Sequence, residues 1–307
     1  PSPVLSKIIH SKKSAKLPID SVLKNQDIFE LVDKKMDLKN IILPNQTQER
    51  LNLLIQQLDL RVINLLKQWG IKDNNRGIDA KIIFYGHSGT GKTITAYALG
   101  NALKKPILSL DCSKILSMYV GESEKNVRKI FDSFNNITRD LKKDAILLLD
   151  EADQFLGQRS TSGSSVDKMY NQMQNIFLEQ IEKFDGILIA TTNLIDNIDA
   201  AFSRRFNYKI EFLKPDFMER VRIWNKLLPK KPQGKGNLSA IYERGFDVKN
   251  LAKYALTGGQ IKIVIKNTAY KVATKQKPIF SEADFVAEIK KEMESSFEND
   301  KSMGFLK

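Results

Sequence analysis

A glycine-rich segment at residues 86–93 has the composition of a phosphate-binding loop. Its pattern is Gly86-x4-Gly91-Lys92-Thr93, after a β-branched and aromatic run and before an apolar-periodic segment. The loop is therefore predicted to join a strand to a helix, where backbone N–H groups bind phosphate. Lys92 would contact the β and γ phosphates, and the Thr93 hydroxyl would ligate Mg²⁺. A glycine-rich turn without a ligand is the alternative, and the flanking elements favour the nucleotide site.

Two carboxylates further along the chain could complete the chemistry. Asp150 and Glu151 follow a run of apolar residues that predicts a buried strand. Asp150 would hold Mg²⁺ through water, and Glu151 would polarise the water that attacks a phosphate. Asp153, two residues later, is interpreted more simply as a cap for the next helix.

Composition restricts the classes of protein to which the chain could belong. Its 307 residues are 42% hydrophobic and 28% charged, which is typical of a globular protein, and the length allows two domains or one large domain with appendages. No apolar run reaches the roughly 18 residues of a membrane span, and no secretory signal pattern opens the chain. A single cysteine, Cys112, excludes an intramolecular disulfide and favours a cytoplasmic location. The start at Pro1, without Met, suggests that the sequence is a piece of a longer protein.

Positive charge is concentrated near the carboxyl end. The net charge is +13, and residues 214–307 hold 19 basic against 11 acidic residues, whereas residues 36–213 are nearly balanced. A basic face can indicate nucleic-acid binding. Here acidic residues alternate with the lysines and no pattern of stacking aromatics is present, so a solvated surface is favoured and nucleic acid stays open.

The elements that must position these residues alternate between strands and helices. This alternation predicts a three-layer α/β/α fold with a parallel sheet of about five strands and the ligand at their carboxyl ends. The predicted strands are the run before residue 86, then 106–111, 145–149, 187–190 and 208–212. The predicted domains are a linker or the end of a missing N-terminal region at 1–37, a large domain at 38–213, an all-helical lid at 214–295 and a tail at 296–307.

Several helical expectations are specific enough to be checked. One continuous helix is predicted from Leu51 to Trp69, ended by Gly70. A weak helical run is predicted around Ile28, Leu31 and Val32, and a Gly- and Ser-rich loop at 157–168. In the lid, Ser281 and Asp284 have the spacing of a capping box, with Phe280 and Phe285 placed as a hydrophobic staple.

With these motifs in place, residues 38–295 resemble the AAA+ ATPases, specifically the AAA proper clade. Residues 86–93 look like Walker A and residues 146–153 look like Walker B. Residues 190–193 resemble the sensor-1 strand end, which makes Asn193 the residue that helps to position the lytic water. Residues 199–206 resemble the arginine-finger segment. The resemblance implies that Arg204 and Arg205 act on a neighbouring subunit in a homo-oligomeric, normally hexameric, ring.

A further segment resembles the pore loop of protein unfoldases and remodellers. It spans residues 118–128, and its loop residues are Met118, Tyr119, Val120 and Gly121. In the family, the aromatic residue grips a threaded polypeptide, because a stiff ring offers a large contact area. Packing of Met118 and Tyr119 against the core is the alternative, and the glycine that follows favours an exposed loop.

The resemblance also implies the set of residues that binds ATP or ADP. This set is Gly86, His87, Ser88, Gly89, Thr90, Gly91, Lys92, Thr93, Ile94, Ile42, Gly258 and Gly259. The sequence departs from the wider family in three respects. His87-Ser88 replaces a proline-rich start, no sensor-2 arginine stands at Gly258, and the segment 184–187 is short. No HExxH motif is present, so this sequence has no zinc-protease site of that type.

The resemblance implies a Mg²⁺-dependent ATPase that remodels, unfolds or disassembles a protein substrate. The alternative is a nucleic-acid-associated ATPase of the loader type that uses the basic carboxyl-terminal region. Residues around Trp69, 170–172 and 201–206 look like those of a bacterial subgroup, some of whose members accompany contractile injection systems.

Overall fold

A computed structural model describes eight parts of the chain: residues 29–32, 36–73, 77–112, 123–141, 143–157, 165–194, 198–230 and 241–295. The predicted pore loop at 118–121 lies outside them. The chain divides into two compact units. The first consists of Pro1–Asp37, Leu54–Phe84 and Ala96–Lys209, and the second of Leu38–Leu53, Tyr85–Thr95 and Ile210–Lys307.

Six strands form one sheet, as an α/β fold requires. They are β1 (Glu30–Val32), β2 (Ala80–Gly86), β3 (Ile107–Asp111), β4 (Ile146–Asp150), β5 (Ile187–Thr192) and β6 (Tyr208–Phe212), in the order β1-β3-β4-β5-β2-β6. Strands β3, β4 and β5 run parallel, whereas β1 is antiparallel to β3. Five of these strands were predicted, and the sixth, β1, was not.

Strand β1 corrects the helical run expected around Ile28, Leu31 and Val32, of which Ile28 lies outside the described residues. Leu31 and Val32 pair with Leu108 and Ile107 at the edge of the sheet. Both side chains are half-buried. The periodicity of so short a run is ambiguous, and pairing with a neighbouring strand decided its conformation.

Helices cover both faces of the sheet in the first unit. On one face, α4 (Ser123–Leu141) and α6 (Ser165–Lys183) pack their phenylalanines against alternate residues of β3, β4 and β5. On the other, α3 (Lys92–Ala102) approaches β3 so closely that a Cβ on Gly100 would lie 2.4 Å from Ile107 Cδ1. This arrangement confirms the three predicted layers. Because α6 begins at Ser165, it also shortens the loop expected to reach residue 168.

The long helix predicted over residues 51–69 is wrong. The structure has α1 (Asn45–Gln57) and α2 (Leu60–Gln68), separated by Asp59 in an extended conformation (φ −64°, ψ 134°). The Asp59 carboxylate accepts a hydrogen bond from the backbone N–H of Arg61 at 2.8 Å and so caps a new helix. The apolar pattern continues across the break, but Trp69 is 63% exposed.

The carboxyl-terminal helices of the second unit form their own apolar core. They are α8 (Phe217–Leu227), α9 (Val248–Ala252), α10 (Gly258–Ala273) and α11 (Glu282–Ser295), between which Trp224 and Phe285 are fully buried. The short helices α5 (Asp153–Leu156) and α7 (Ala200–Arg205) belong to the first unit. In the described part of the chain, no helix is both long and apolar enough to span a bilayer.

The predicted cap of the last helix is confirmed. Asp284 Oδ2 accepts hydrogen bonds from the Ser281 backbone N–H at 3.2 Å and from its hydroxyl at 2.7 Å. The Ser281 hydroxyl accepts in turn from the Asp284 backbone N–H at 3.2 Å. Phe280 and Phe285 stack with their ring centroids 5.6 Å apart, as a hydrophobic staple does.

Candidate functional site

The phosphate loop, residues 86–93, joins β2 to α3 as predicted. Gly86, Gly89 and Gly91 all have positive φ, of 141°, 73° and 100°. At Gly86 a side chain is also excluded by space, because a Cβ there would lie 2.3 Å from the backbone oxygen of Phe212. The motif therefore needs glycine for the conformation of the loop, and the loop leads directly into the first turn of a helix, where anions bind.

Lys92 lies across this loop. Its side chain is 7% exposed, and Nζ donates hydrogen bonds to the backbone oxygens of Gly86 and His87 at 2.8 and 2.7 Å. The Thr90 hydroxyl donates to the same His87 oxygen at 2.8 Å. The ammonium group is thus desolvated and held against the loop, within reach of the phosphates that such a loop binds.

The amino terminus of α10 meets the tip of the phosphate loop within the second unit. The Gly259 backbone N–H donates to the Gly89 carbonyl at 2.9 Å. Thr257 and Gln260 form a reciprocal capping box there, with the Thr257 N–H 2.9 Å from Gln260 Oε1. A Cβ on Gly259 would lie 2.8 Å from Gly89 Cα, whereas one on Gly258 would meet the Gly89 oxygen at an ordinary 3.6 Å. Backbone atoms form this contact between Gly259 and Gly89, and no sensor-2 arginine takes part in it.

The remaining residues of the predicted nucleotide-binding set differ in exposure and in the residues that they contact. Ser88 is exposed and Thr93 half-buried. Ile94 is 41% exposed, and its side chain lies beside Gly91. Ile42 packs against the helical core of the second unit. The nucleotide contacts expected of these four residues stay predictions.

Asp150 and Glu151 lie where β4 ends, and the neighbouring strand β5 supplies a hydroxyl that holds both. Thr191 Oγ1 donates to Asp150 Oδ1 at 2.5 Å and accepts from the Glu151 backbone N–H at 3.1 Å. Glu151 has a left-handed backbone, with φ of 54°. Its side chain is exposed and that of Asp150 half-buried. The two consecutive carboxylates therefore have different surroundings, which suits one to metal binding and the other to proton abstraction.

The sequence predicted that Asp153 caps the next helix, but its side chain does not do so. The N-cap position of α5 is Ala152, which makes no side-chain cap. Instead Asp153 Oδ1 accepts from the Asn193 backbone N–H at 2.8 Å, and Oδ2 accepts from Asn193 Nδ2 at 3.2 Å. The parallel register of β4 and β5 places these strand ends side by side. The Asp153 carboxylate therefore bonds with Asn193 and does not cap the helix.

Negative charge at this edge is reflected in the acidity of nearby groups. Burial raises the pKa of the Cys112 thiol well above its usual range, and the charges of Asp150, Asp111 and their neighbours raise it further. Burial likewise raises the pKa of Tyr97, with Asp150 adding to the effect. Such a negative field is what a divalent cation would neutralise.

Within the described residues, no group of three or more His, Cys, Asp or Glu side chains is arranged to hold a metal ion. Mg²⁺ bound with a nucleotide commonly takes only one or two protein ligands and completes its shell with phosphates and water. The Thr93 hydroxyl and the Asp150 carboxylate stay the donors predicted from the sequence.

The two candidate finger arginines lie in the last turn of α7 and differ in their contacts. Arg205 donates to the Ala201 carbonyl at 3.1 Å and pairs with Glu182 at 3.4 Å. Arg204 is exposed, and within the described part of the chain no hydrogen bond or ion pair involves its guanidinium. Arg204 is therefore the more exposed of the two arginines.

Sequence reasoning found the charged residues of the site but missed the groups that hold them. The first unit brings together Asp150, Glu151 and Asn193, and it adds Thr191 and Asp153 as their partners. The second unit brings together the phosphate loop and Gly259. Polar residues at the ends of two predicted parallel strands are the signal that could have indicated Thr191.

The chain matches a known family model. Residues 82–213 match the model described as ATPase family associated with various cellular activities (AAA). This range begins in β2 and includes the phosphate loop, the acidic strand end, Asn193 and both arginines.

The proteins to which this chain is similar have names that refer to several different activities. One is cell division protein C of Sulfolobus acidocaldarius, 32% identical over 46% of this chain and 39% of its own. Another is the ATP-dependent zinc metalloprotease YME1 homolog of Caenorhabditis elegans, 31% identical over 63% of this chain and 26% of its own. A third is the 26S proteasome regulatory subunit 6A of Encephalitozoon cuniculi, 27% identical over 82% of this chain and 62% of its own. The chain thus spans less than two thirds of the length of each relative.

Proposed function

From the match of residues 82–213 to the AAA family model, we propose that this chain is an AAA+ ATPase and that it hydrolyses ATP to ADP and phosphate with Mg²⁺. Lys92 would bind the β and γ phosphates, and Thr93 and Asp150 would hold the metal ion. Bound Mg²⁺ would neutralise charge on the phosphates. Glu151 would take the proton of the attacking water, and Asn193 would orient that water.

The observation that carries this proposal is the contact of Thr191 with the acidic strand end. One hydroxyl is bonded to the Asp150 carboxylate and to the Glu151 backbone, at 2.5 and 3.1 Å. Hydrolysis needs a metal-binding carboxylate and a separate base in fixed positions, because misplacement of either removes the advantage of proximity. A carboxylate pair that served only to cap a helix would not need such a support.

Substitution of the proposed base tests the assignment. In Glu151→Gln, ATP binding is expected to be retained while the rate of hydrolysis falls at least about a hundredfold, since the amide cannot accept the proton. Glu294→Gln, which changes an exposed glutamate of α11, is the matched control and should hydrolyse ATP at the wild-type rate. Turnover by Glu151→Gln close to that of wild type would refute the role of Glu151.

The proposal extends to what the hydrolysis drives. ATP hydrolysis in a homo-oligomeric ring, of six subunits, would move Tyr119 against a protein substrate and remodel or unfold it. The names of the relatives support action on proteins, since two of them belong to a protease and to the proteasome. The cytoplasmic location and the bacterial subgroup stay predictions.

Stimulation of the ATPase separates a protein substrate from nucleic acid. Unfolded protein is expected to raise the rate of hydrolysis of the wild type, and Tyr119→Ala should lose this stimulation while its basal rate is retained. Stimulation by DNA that weakens steeply with salt would instead favour the nucleic-acid alternative.

A further inference from the structure

Asp153 and Asn193 form a two-point contact that no motif predicts. Each carboxylate oxygen of Asp153 accepts one hydrogen bond from Asn193, at 2.8 Å from the backbone N–H and at 3.2 Å from Nδ2. Two bonds between the same two residues fix both the position of the Asn193 backbone and the rotation of its side chain. The contact therefore determines which end of the amide faces which way.

The orientation of the amide follows from the chemistry of the partner. An ionised carboxylate accepts hydrogen bonds and cannot donate them, so only the nitrogen end of the Asn193 amide can face Asp153. The oxygen end, Oδ1, is consequently turned away from Asp153. Asn193 thus offers a hydrogen-bond acceptor on that side, and an acceptor is what orients a water molecule through one of its O–H groups.

We propose that Asp153 is a positioning residue for ATP hydrolysis, which fixes the Asn193 amide so that Oδ1 meets the attacking water. This inference rests on the proposed function, because Asn193 has this role only if the chain hydrolyses ATP. Asp153 contributes through Asn193 and need not touch the nucleotide.

The backbone around Asp153 is suited to the role. The Ala152 N–H donates to the Thr191 carbonyl at 2.9 Å, so the residue before Asp153 is tied to β5 just upstream of Asn193. Beyond Asp153, the Leu156 carbonyl accepts from the Asp199 N–H at 2.9 Å. The carboxylate therefore projects from a segment that is anchored on both sides, which is what an orienting group requires.

A purely structural role for Asp153 makes a different prediction. Asp153 is the first residue of α5, where a negative charge stabilises the helix N-terminus. If this were its only role, its removal would lower the melting temperature and leave the chemical step of the folded protein intact. The two roles are separated by measuring stability, nucleotide affinity and turnover on the same variants.

The variant Asp153→Asn tests the proposal. It keeps the size of the side chain but leaves one acceptor oxygen for the two N–H donors of Asn193, so the two-point contact is broken at the backbone or at the amide. We expect kcat to fall about 10- to 100-fold, the order of effect of misplaced catalytic groups. The KM for ATP should stay within about twofold of wild type, since a group that acts only in the chemical step affects kcat. The melting temperature should change by less than about 2 °C.

A double substitution shows whether Asp153 acts through Asn193. In an Asn193→Ala background, Asp153→Asn should cause no further loss of kcat, because the group that it orients is already absent. Asp153→Glu keeps two acceptor oxygens and should retain more activity than Asp153→Asn. Asp144→Asn, at an 83% exposed aspartate of the same unit, is the matched control and should hydrolyse ATP as wild type.

Each outcome decides the matter. Wild-type kcat in Asp153→Asn, an undiminished further loss in the Asn193→Ala background, or a lowered melting temperature with unchanged kcat would each overturn the role of Asp153. If the wild type itself fails to hydrolyse ATP, or Glu151→Gln hydrolyses it normally, the proposed function fails first and the inference fails with it. Active wild type, inactive Glu151→Gln and fully active Asp153→Asn would refute only the positioning role.

Discussion

Glu151 has a strained backbone conformation, and a hydrogen bond to Thr191 supports it. A positive φ is unfavourable for any residue with a side chain, and at functional sites such strain costs on the order of 1–3 kcal/mol. The φ of 54° at Glu151 is sustained by the bond from its N–H to Thr191 Oγ1. Thr191 is 2% exposed, so water does not replace that bond readily. The hydroxyl of Thr191 therefore stabilises the conformation that separates Glu151 from Asp150.

Thr191→Val should reveal this support. Valine has the shape of threonine but no hydroxyl, so the Glu151 N–H and the Asp150 carboxylate each lose a partner. Loss of a part-buried hydrogen bond costs about 0.5–1.5 kcal/mol of folding free energy, which thermal unfolding would detect. We also expect kcat for ATP hydrolysis to fall about tenfold or more through misplacement of the two carboxylates.

Thr191→Ser is the matched control for that experiment. It keeps the hydroxyl and removes only a methyl group, so its kcat should stay within a few-fold of wild type. A valine variant that hydrolyses ATP as fast as the serine variant would show that the hydroxyl has no part in the reaction.

At the scale of elements, the contact between α10 and the phosphate loop brings two backbones so close that it leaves no room for a side chain. Gly259 is the donor to the Gly89 carbonyl, and the two backbones are so close that only glycine fits. The capping box of Thr257 and Gln260 fixes where α10 begins, and so fixes which N–H points at the loop. A helix start, defined by local sequence, thereby sets the geometry of a tertiary contact.

Gly259→Ala is expected to weaken ATP binding by about tenfold, the equivalent of about 1.4 kcal/mol. Its Cβ would lie 2.8 Å from Gly89 Cα, so the loop or the helix must shift and the 2.9 Å hydrogen bond is lost. Equilibrium binding of an ATP analogue measures the change. Gly258→Ala makes the same chemical change at an ordinary 3.6 Å contact and should bind within a few-fold of wild type. Equal affinities in the two variants would contradict the explanation by steric contact.

At the scale of the whole molecule, the two arginines of α7 are expected to have different roles, because their contacts differ. The ion pair of Arg205 with Glu182 is largely solvent-exposed, so it is worth less than about 1 kcal/mol, but it keeps this side chain within its own chain. Arg204 has no such contact among the described residues, which suits it to a partner that binds only on assembly. We therefore expect Arg204 to be the finger that acts on a neighbouring subunit.

Mixing two inactive variants tests that expectation. Arg204→Ala should lower the rate of hydrolysis about a thousandfold, the order of effect of an arginine finger, whereas Arg205→Ala should stay within a few-fold of wild type. When Arg204→Ala and Glu151→Gln are mixed and reassembled, activity should return, because one supplies the base and the other the finger. If the mixture is no more active than its components, Arg204 does not act in trans.

The structure departs from the sequence prediction at two places, one through a local cap and one through a long-range strand pairing. The apolar repeat from Leu51 to Trp69 predicted one helix, but the side chain of Asp59 accepted a backbone bond and began a second. The run at residues 30–32 was too short for its period to decide, and pairing with β3 made it a strand. In each case the local pattern was compatible with two conformations, and a contact that the pattern does not encode selected one.

The sequence by itself determined most of the elements and the chemical groups of this protein. Continuous apolar runs specify buried strands, Gly86 to Thr93 specify a phosphate loop, and Asp150, Glu151 and Asn193 follow strands whose ends share an edge. Only the tertiary structure decided the partners of these groups. Thr191 lies 41 residues from Asp150, and Asn193 lies 40 residues from Asp153. The spacing of these residues along the chain therefore does not predict their hydrogen bonds. The parallel register of β4 and β5 brings them together, because hydrogen-bonding strands place distant residues within bonding distance.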